Sequence, residues 1–246
     1  MSSSSWLSLA NLSDHYERKA RLAPGLISVL PAIPAVGAFG WSSTGWVETL
    51  VGGSGVGVLL SILLSHLASA MGNQFQKKLW PNWPYDSPTN SLLFPGSEGV
   101  SKQQQNLWYQ SIKRSTGIDI PKAVADGEEI QEVINDAVRS LRNILWDRPE
   151  AKRVQMHNID YGFARNLAGL RMFWVPISII STLICWAAYF YWGLDIMIYS
   201  AASTGISVIS VAFAFWVLPT YVRTKAVHYA ESFFGALLEI DPQDQG

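Results

Sequence analysis

Cysteine and charge are both scarce in this sequence. Cys185 is its single cysteine, so an intramolecular disulfide and a zinc site built from several cysteines are both excluded. The four histidines are dispersed and lack the spacing that would place two metal ligands on one helix face. No glycine-rich phosphate loop stands in a strand-to-helix context either. We therefore expect no metal, no cofactor and no enzymatic activity.

The shortage of charge is concentrated in two stretches. Charged residues make up 15% of the chain, against about 25% in soluble proteins. Neither Leu22–Met71 nor Met172–Val222 contains a lysine or arginine. A hydrocarbon core about 30 Å thick needs roughly 20 mostly apolar helical residues to cross it. Four windows meet this length, namely Leu22–Trp41, Val47–Met71, Met172–Trp192 and Ile196–Val222.

These windows predict an all-α integral membrane protein with two transmembrane hairpins. Lipid cannot satisfy free backbone N–H and C=O groups, so a spanning segment must be helical or part of a closed barrel. Barrel strands alternate apolar and polar residues, whereas these runs are continuously apolar.

The distribution of basic residues predicts the orientation. Neither hairpin connector, Ser42–Trp46 or Gly193–Asp195, contains a lysine or arginine, and the basic residues flank the opposite ends of the spans. Cytoplasmic loops are enriched in these residues. We expect a multi-pass membrane protein with both termini and the middle of the chain in the cytoplasm.

Five segments follow from this topology. They are an N-terminal stem helix at 1–21, a first hairpin at 22–71, a helical cytoplasmic domain at 72–166, a second hairpin at 167–222 and an amphipathic cytoplasmic helix at 223–246. Within the cytoplasmic domain, Ser101–Thr116 reads as a helix ended by Gly117. Asp126 and Glu129 read as a capping box that opens a second helix, whose apolar residues recur at helical spacing from Ile130 to Leu145. The C-terminal helix is expected to continue the fourth span and pack back on this domain; the alternative is a helix that lies in the membrane interface.

Prolines and small residues distinguish the predicted spans. Pro24, Pro31 and Pro34 should break or kink the first helix, with neighbouring helices or water satisfying the freed carbonyls. The second span repeats small residues at every fourth position, and the fourth carries a serine stripe. Such faces either pack helices tightly or line a water path in a homo-oligomer. The candidate packing or pore-lining residues are Gly53, Gly57, Ser61, Ser65, His66, Ser203, Ser207 and Ser210.

His66 is the one titratable side chain well inside a predicted span. An ionisable group in the membrane is a functional candidate. The alternative is a histidine that reaches the interface or bonds to a neighbouring serine.

Two short sequences stand out in the soluble part. Trp80, Trp83 and Tyr85 lie in a proline-rich loop that is a candidate partner-binding surface. Immediately before the third span comes Asn158-Ile-Asp-Tyr-Gly-Phe-Ala-Arg-Asn-Leu-Ala-Gly-Leu170. Its side chains Tyr161, Phe163, Arg165 and Asn166 are the candidate junction between the soluble domain and the membrane helices.

This run, with Trp80-Pro-Asn-Trp83 and Ser87-Pro-Thr89, resembles a widespread and largely uncharacterised family of bacterial four-span membrane proteins. The family carries Asn-Ile-x-Tyr-Gly-Phe-x-Arg-Asn-Leu and paired membrane helices. Its architecture is similar to that of small multi-span effectors of prokaryotic antiphage systems. That similarity implies a protein that perturbs the membrane when a partner senses infection.

Four functions remain open at this stage. The first is a membrane-perturbing or pore-forming antiphage effector, gated through its cytoplasmic domain by a protein or small-molecule trigger. The second is an integral membrane sensor or scaffold that recruits a soluble partner. The third is a small transporter, suggested by the two hairpins and the broken first helix, and a membrane-bound hydrolase is a distant fourth. The net charge of −1 gives no general attraction to nucleic acid.

Overall fold

The structure, a computed structural model, describes residues 15–40, 56–146, 148–192 and 196–240. Every regular element in these ranges is helical, and none of their residues is in a strand. The predicted all-helical class is thereby confirmed. The chain divides into two compact units. The first unit contains the residues up to Gln76 together with Gly162–Val222, and the second contains Lys77–Tyr161 and the residues from Arg223 onward.

The α-helices are numbered in chain order. They are α1 (Ala23–Val29), α2 (Ile33–Gly40), α3 (Val56–Leu79), α4 (Pro88–Ser91), α5 (Lys102–Thr116), α6 (Ile120–Ala125), α7 (Ile130–Leu145), α8 (Lys152–Gly169), α9 (Arg171–Trp192), α10 (Met197–Ala212) and α11 (Leu218–Glu239). Two π-helical segments, Glu17–Leu22 and Phe213–Val217, precede α1 and α11. Short 3₁₀ segments cover Leu30–Ala32 and Pro149–Ala151.

Three of the described helical stretches are long and apolar enough to cross a membrane, which indicates a membrane protein. They are Glu17–Ala38, Arg171–Tyr191 and Met197–Glu239. The last has 43 residues, about twice what a hydrocarbon core needs, so only part of it can lie within lipid. The fourth predicted span, Val47–Met71, begins outside the described residues, and its described part belongs to α3. Four spans therefore stay a prediction.

Small and polar side chains face the interior of the first unit, where α9 and α10 pack on each other and on α2. The buried positions include Ser178, Ser181, Cys185, Ala188, Ser200 and Ser203. Large apolar side chains face outward, with Leu183 64%, Phe190 70% and Ile198 76% exposed. Soluble proteins bury such side chains, whereas helices in lipid pack through small residues. The pattern supports a lipid environment for these helices.

Two prolines explain the 3₁₀ segment between α1 and α2. Pro31 and Pro34 lack the N–H groups that would bond the carbonyls of Ile27 and Leu30 in an α-helix. The N–H of Leu30 bonds to the Ile27 carbonyl instead, and the N–H of Ile33 bonds to the Leu30 carbonyl. Each carbonyl thus gains a donor three residues ahead. The predicted break in the first apolar helix is confirmed at this point.

The second unit has an apolar core supplied by α5, α7 and α11. Its largest fully buried side chains are Leu93, Ile112, Ile120, Ile134, Leu141, Phe233, Phe234 and Leu237. The rings of Trp108 and Phe234 stack with their centroids 4.6 Å apart. Because α11 contributes three of these residues, the predicted packing of the C-terminal helix on this domain is confirmed.

The two helices predicted in the cytoplasmic domain are present as α5 and α7. The Ser101 side chain caps α5 by accepting from Gln104 N, and Gly117 ends this helix in the left-handed region. The predicted capping box of α7 is wrong, because the Glu129 N-cap makes no side-chain hydrogen bond. Asp126 lies at the end of α6 instead. The N–H of Glu128 bonds to the carbonyl of residue 123, which closes α6.

Candidate functional site

A buried asparagine satisfies a carbonyl that a proline leaves without a donor. Ala20 lies in the π segment Glu17–Leu22, where the N–H of Ala23 bonds to the Arg18 carbonyl five residues back. Pro24 has no N–H, so it cannot bond to the Ala20 carbonyl, its partner four residues back in the α register that follows. Asn166 of α8 donates its Nδ2–H to that carbonyl at 2.6 Å. Both residues are fully buried. The π segment before α1 is therefore held by a side chain distant in sequence.

An arginine makes the same kind of contact at the second π segment. The N–H of Leu218 bonds to the carbonyl of Phe213, five residues back. The next donor in this register would be Pro219, which has no N–H, so the Ala214 carbonyl lacks its helical partner. Arg171 Nη1 donates to Ala214 O at 3.2 Å. Single-turn π segments in helices are frequent at functional sites.

Arg165 fixes the asparagine that caps the first π segment. Its Nε donates to Asn166 Oδ1 at 3.3 Å, and its Nη1 donates to Gln76 Oε1 at 2.8 Å. The Gln76 side chain is buried, with 6% of its surface exposed. Because Asn166 accepts through its oxygen and donates through its nitrogen, both ends of the amide are used. We name Gln76, Arg165, Asn166 and Arg171 the capping cluster.

Two glycines let α3 and α8 approach closely within the first unit. A Cβ on Gly72 would overlap the Asn166 side chain and lie 3.0 Å from its Cα. A Cβ on Gly169 would lie 2.5 Å from the backbone nitrogen of Gly72 and overlap the Met71 carbonyl. The backbone can come this close only without a side chain at these positions.

Arg171 is also packed between two aromatic rings. Its guanidinium carbon lies 4.8 Å from the centroid of Phe75 and 5.4 Å from that of Phe215. Phe75 is buried and Phe215 is exposed. Cation–π contacts of this kind hold a guanidinium in place while its N–H groups bond elsewhere.

The four predicted junction residues fall on either side of the division within α8. Tyr161 belongs to the second unit, where its buried ring lies 6.3 Å from Trp80 and 6.5 Å from Tyr229 between centroids. Phe163, Arg165 and Asn166 belong to the first unit, and only Arg165 and Asn166 join the capping cluster.

The predicted partner-binding loop is partly exposed. Trp83 is 37% exposed, and its ring centroid lies 6.2 Å from that of Trp80. Trp80 and Tyr85 are half-buried.

The predicted packing or pore-lining residues are spread over α3 and α10. Ser203 and Ser210 are buried, and the Ser207 hydroxyl lies 2.8 Å from that of Thr182 on α9. On α3, Ser65 is half-buried and His66 is exposed. Gly53 lies outside the described residues, as do the side chains at Gly57 and Ser61. The Ser181 hydroxyl is buried and has no hydrogen-bond partner.

Three members of the site were missed from the sequence. Gln76, Gly72 and Arg171 were not predicted as site residues, although Gly169 lies in the motif that was singled out. The sequence feature that could have indicated this site is the presence of Pro24 and Pro219 in apolar helices. Each proline lacks an N–H, so a backbone carbonyl in the preceding turn requires another hydrogen-bond donor.

The capping cluster contains no nucleophile with an adjacent base, so its chemistry is that of hydrogen bonding. Across the described ranges, no group of three or more histidine, cysteine, aspartate or glutamate side chains is placed to hold a metal ion. Comparisons with protein-family models, with curated proteins and with solved structures find no match to this chain.

Proposed function

We propose that this protein is a membrane-perturbing or pore-forming effector of bacterial antiphage defence, gated through its cytoplasmic domain. The proposal includes four spans in the inner membrane, cytoplasmic termini and assembly into a homo-oligomer. The observation that carries it is the capping cluster. Side chains from the end of α8 and the start of α9 supply donors to carbonyls in two other apolar helices.

The free energy of these hydrogen bonds is similar to the free energy that is needed to shift a two-state conformational equilibrium. A buried polar group that loses its partner costs about 1–3 kcal/mol, so releasing the Ala20 and Ala214 carbonyls together costs about 2–6 kcal/mol. Moving a two-state equilibrium from 1:99 to 99:1 requires about 5.5 kcal/mol. A trigger that rotates or shifts α8 therefore has to supply a free energy of the same size. In the absence of the trigger, the capping cluster keeps the effector closed.

The hydroxyl groups between α9 and α10 supply the polar wall of the proposed pore. Thr182 bonds to Ser207 across the two helices, and the Trp186 indole donates to Thr204 at 3.0 Å. Ser181 adds a buried hydroxyl without a partner. Separation of α9 and α10 in an oligomer exposes these groups to water, which satisfies them. Large apolar side chains on the outer face stay in lipid.

A sensor or scaffold is the second candidate. The exposed Trp83 beside Trp80 favours it, because exposed aromatic side chains are enriched in protein interfaces. A small transporter is the third candidate. It is less favoured because the four predicted spans contain one acidic residue, Glu48, at the end of its span and not at mid-membrane, and carboxylates commonly mark ion or proton pathways within the membrane.

The topology part of the proposal predicts the location of four reporters. Fusions after Thr44 and after Gly193 should report the periplasm, whereas fusions at Gly117 and Gly246 should report the cytoplasm. The physical reason is the clustering of lysine and arginine at the cytoplasmic ends of the spans. Paired alkaline phosphatase and fluorescent protein fusions measure this. A cytoplasmic signal at either hairpin connector would contradict the four-span arrangement.

The gating part predicts the response of the membrane potential. In phage-infected cells that express the wild-type chain, a potential-sensitive dye should report depolarisation. Arg165→Ala should change this response strongly, because Gln76 and Asn166 then lose a donor. We expect depolarisation without phage, because the weakened capping cluster no longer keeps the effector closed, with protein level and membrane insertion retained.

Arg139→Ala is the matched control for this experiment, since Arg139 is exposed on α7. This variant should behave as the wild type. A wild type that retains its membrane potential with every phage tested would favour the scaffold over the effector. Recovery of a soluble partner by cross-linking through Trp83 would then be the next measurement.

A further inference from the structure

Arg171 has hydrogen-bond donors that the fold leaves unused. A guanidinium carries five N–H groups on three nitrogens. In the part of the chain that the structure describes, the Arg171 side chain makes one hydrogen bond, from Nη1 to Ala214 O. Its Nε and Nη2 atoms have no partner there and are not buried. A ligand outside the protein can therefore reach both nitrogens.

The positive charge of Arg171 is not balanced by a carboxylate. Arg171 forms no ion pair within the described ranges, whereas Arg21, for example, pairs with Glu17 at 3.1 Å. Its guanidinium is packed between Phe75 and Phe215 and is only partly exposed. A charge that is partly removed from water and left unpaired is unfavourable. The approach of an anion to this guanidinium is therefore favoured.

The contact between Arg171 and Ala214 lies at one end of two apolar stretches. Arg171 is the first residue of the stretch Arg171–Tyr191. Ala214 follows the start of the stretch Met197–Glu239 by about 25 Å of helix at 1.5 Å per residue, which is close to the thickness of the hydrocarbon core. Both residues are therefore expected at a surface of the bilayer, where lipid headgroups lie.

We infer that Arg171 binds the phosphate group of an anionic phospholipid. The planar guanidinium can donate two parallel hydrogen bonds to a phosphate, and basic pockets between transmembrane helices bind anionic headgroups. Phe215 and Trp216, which follow Ala214, are 54% and 77% exposed. These rings provide an apolar surface for the acyl chains, which favours a lipid over free phosphate. A zwitterionic lipid is disfavoured because its own ammonium group competes for the phosphate.

Lipid binding at Arg171 does not require the proposed effector function, because a scaffold or a transporter with this sequence would have the same site. The test uses the purified full chain without a trigger, so a failure of lipid binding and a failure of gating are distinguishable. The measurement is the thermal midpoint in uncharged detergent, with and without dioleoyl phosphatidylglycerol. At ten times its dissociation constant, this lipid should raise the wild-type midpoint by about 3–6 °C.

Arg171→Gln keeps an amide donor but removes the charge. Loss of a charged hydrogen bond weakens binding by about tenfold or more, so the rise caused by the lipid should fall to about a third of the wild-type rise or less. Arg171→Lys keeps the charge without the planar fork, and it should reduce the rise by about a third or more. If Arg171→Gln does not fold, the result with Arg171→Lys decides the test.

Three controls separate this site from general attraction. Arg153→Gln removes the same charge at an exposed position of the second unit, and it should keep the full rise. Dioleoyl phosphatidylcholine has the same acyl chains, and it should raise the midpoint less than phosphatidylglycerol does. Inorganic phosphate should not raise it. Equal rises with the two lipids, a rise with inorganic phosphate alone, an unchanged rise in the folded Arg171 variants, or no rise in the wild type would each overturn the inference. A loss of equal size in Arg153→Gln would also overturn it.

Discussion

Gly169→Ala is expected to destabilise the first unit. The new Cβ would overlap the Met71 carbonyl and lie 2.5 Å from Gly72 N. These are backbone atoms, so no side chain can rotate away, and α3 and α8 must separate. Overpacking of this kind costs about 1–3 kcal/mol. Replacing a helical glycine by alanine returns about 1 kcal/mol, so the expected net loss is up to about 2 kcal/mol.

The measurement is the thermal midpoint of the full chain in one detergent, followed by intrinsic fluorescence. A change of 1 kcal/mol shifts the midpoint by about 2–4 °C in a chain of this size. Gly205→Ala is the matched control, because a Cβ there meets nothing within 4 Å. We expect this control to leave the midpoint unchanged or raise it slightly. If both variants unfold at the same temperature, α3 and α8 are not in the close contact described.

Asn166→Ala should also cause a large loss of stability, for an electrostatic reason. It leaves the Ala20 carbonyl without a donor and removes an acceptor of Arg165 Nε. A buried carbonyl left without a donor costs about 1–3 kcal/mol, which is the expected loss. Asn73→Ala, at an exposed position of α3, should change the stability by less than about 0.5 kcal/mol.

A double-mutant cycle tests the role of the proline directly. Pro24→Ala restores an N–H at the position that can bond to Ala20 O in an α-helix. In that background Asn166→Ala should cost about 1–3 kcal/mol less than in the wild type. An additive result would mean that Asn166 acts through packing and not through the Ala20 carbonyl.

Sequence patterns were sufficient to predict the helices that depend on interactions between residues close in sequence. The helix from Ser101 to Gly117 follows from a capping serine and a terminal glycine, both of which act within a few residues. The buried face of α7 follows from spacing that repeats every three or four residues. The capping box predicted at Asp126 is wrong because Asp126 lies at the C-terminal end of α6 and does not cap α7.

The candidate site was predicted only in part because its partners are distant in sequence. The motif around Arg165 and Asn166 stood out by composition, but nothing local identifies Gln76 or Ala20 as partners. The prolines predicted free carbonyls without indicating the side chains that satisfy them. Large side chains such as Phe190 are exposed because of the environment that surrounds the helices. The apolar composition of the helices predicts that environment more directly than the periodicity of their apolar residues does.

The hydrogen bond between Asn166 and Ala20 has a consequence for the synthesis of the chain. Its two ends are 146 residues apart. At a translation rate of about 5–20 residues per second, the donor leaves the ribosome about 7–30 s after the acceptor. During that interval water or the insertion machinery must satisfy the Ala20 carbonyl. The first apolar helix to be made therefore reaches its final packing late, after most of α8 has been synthesised.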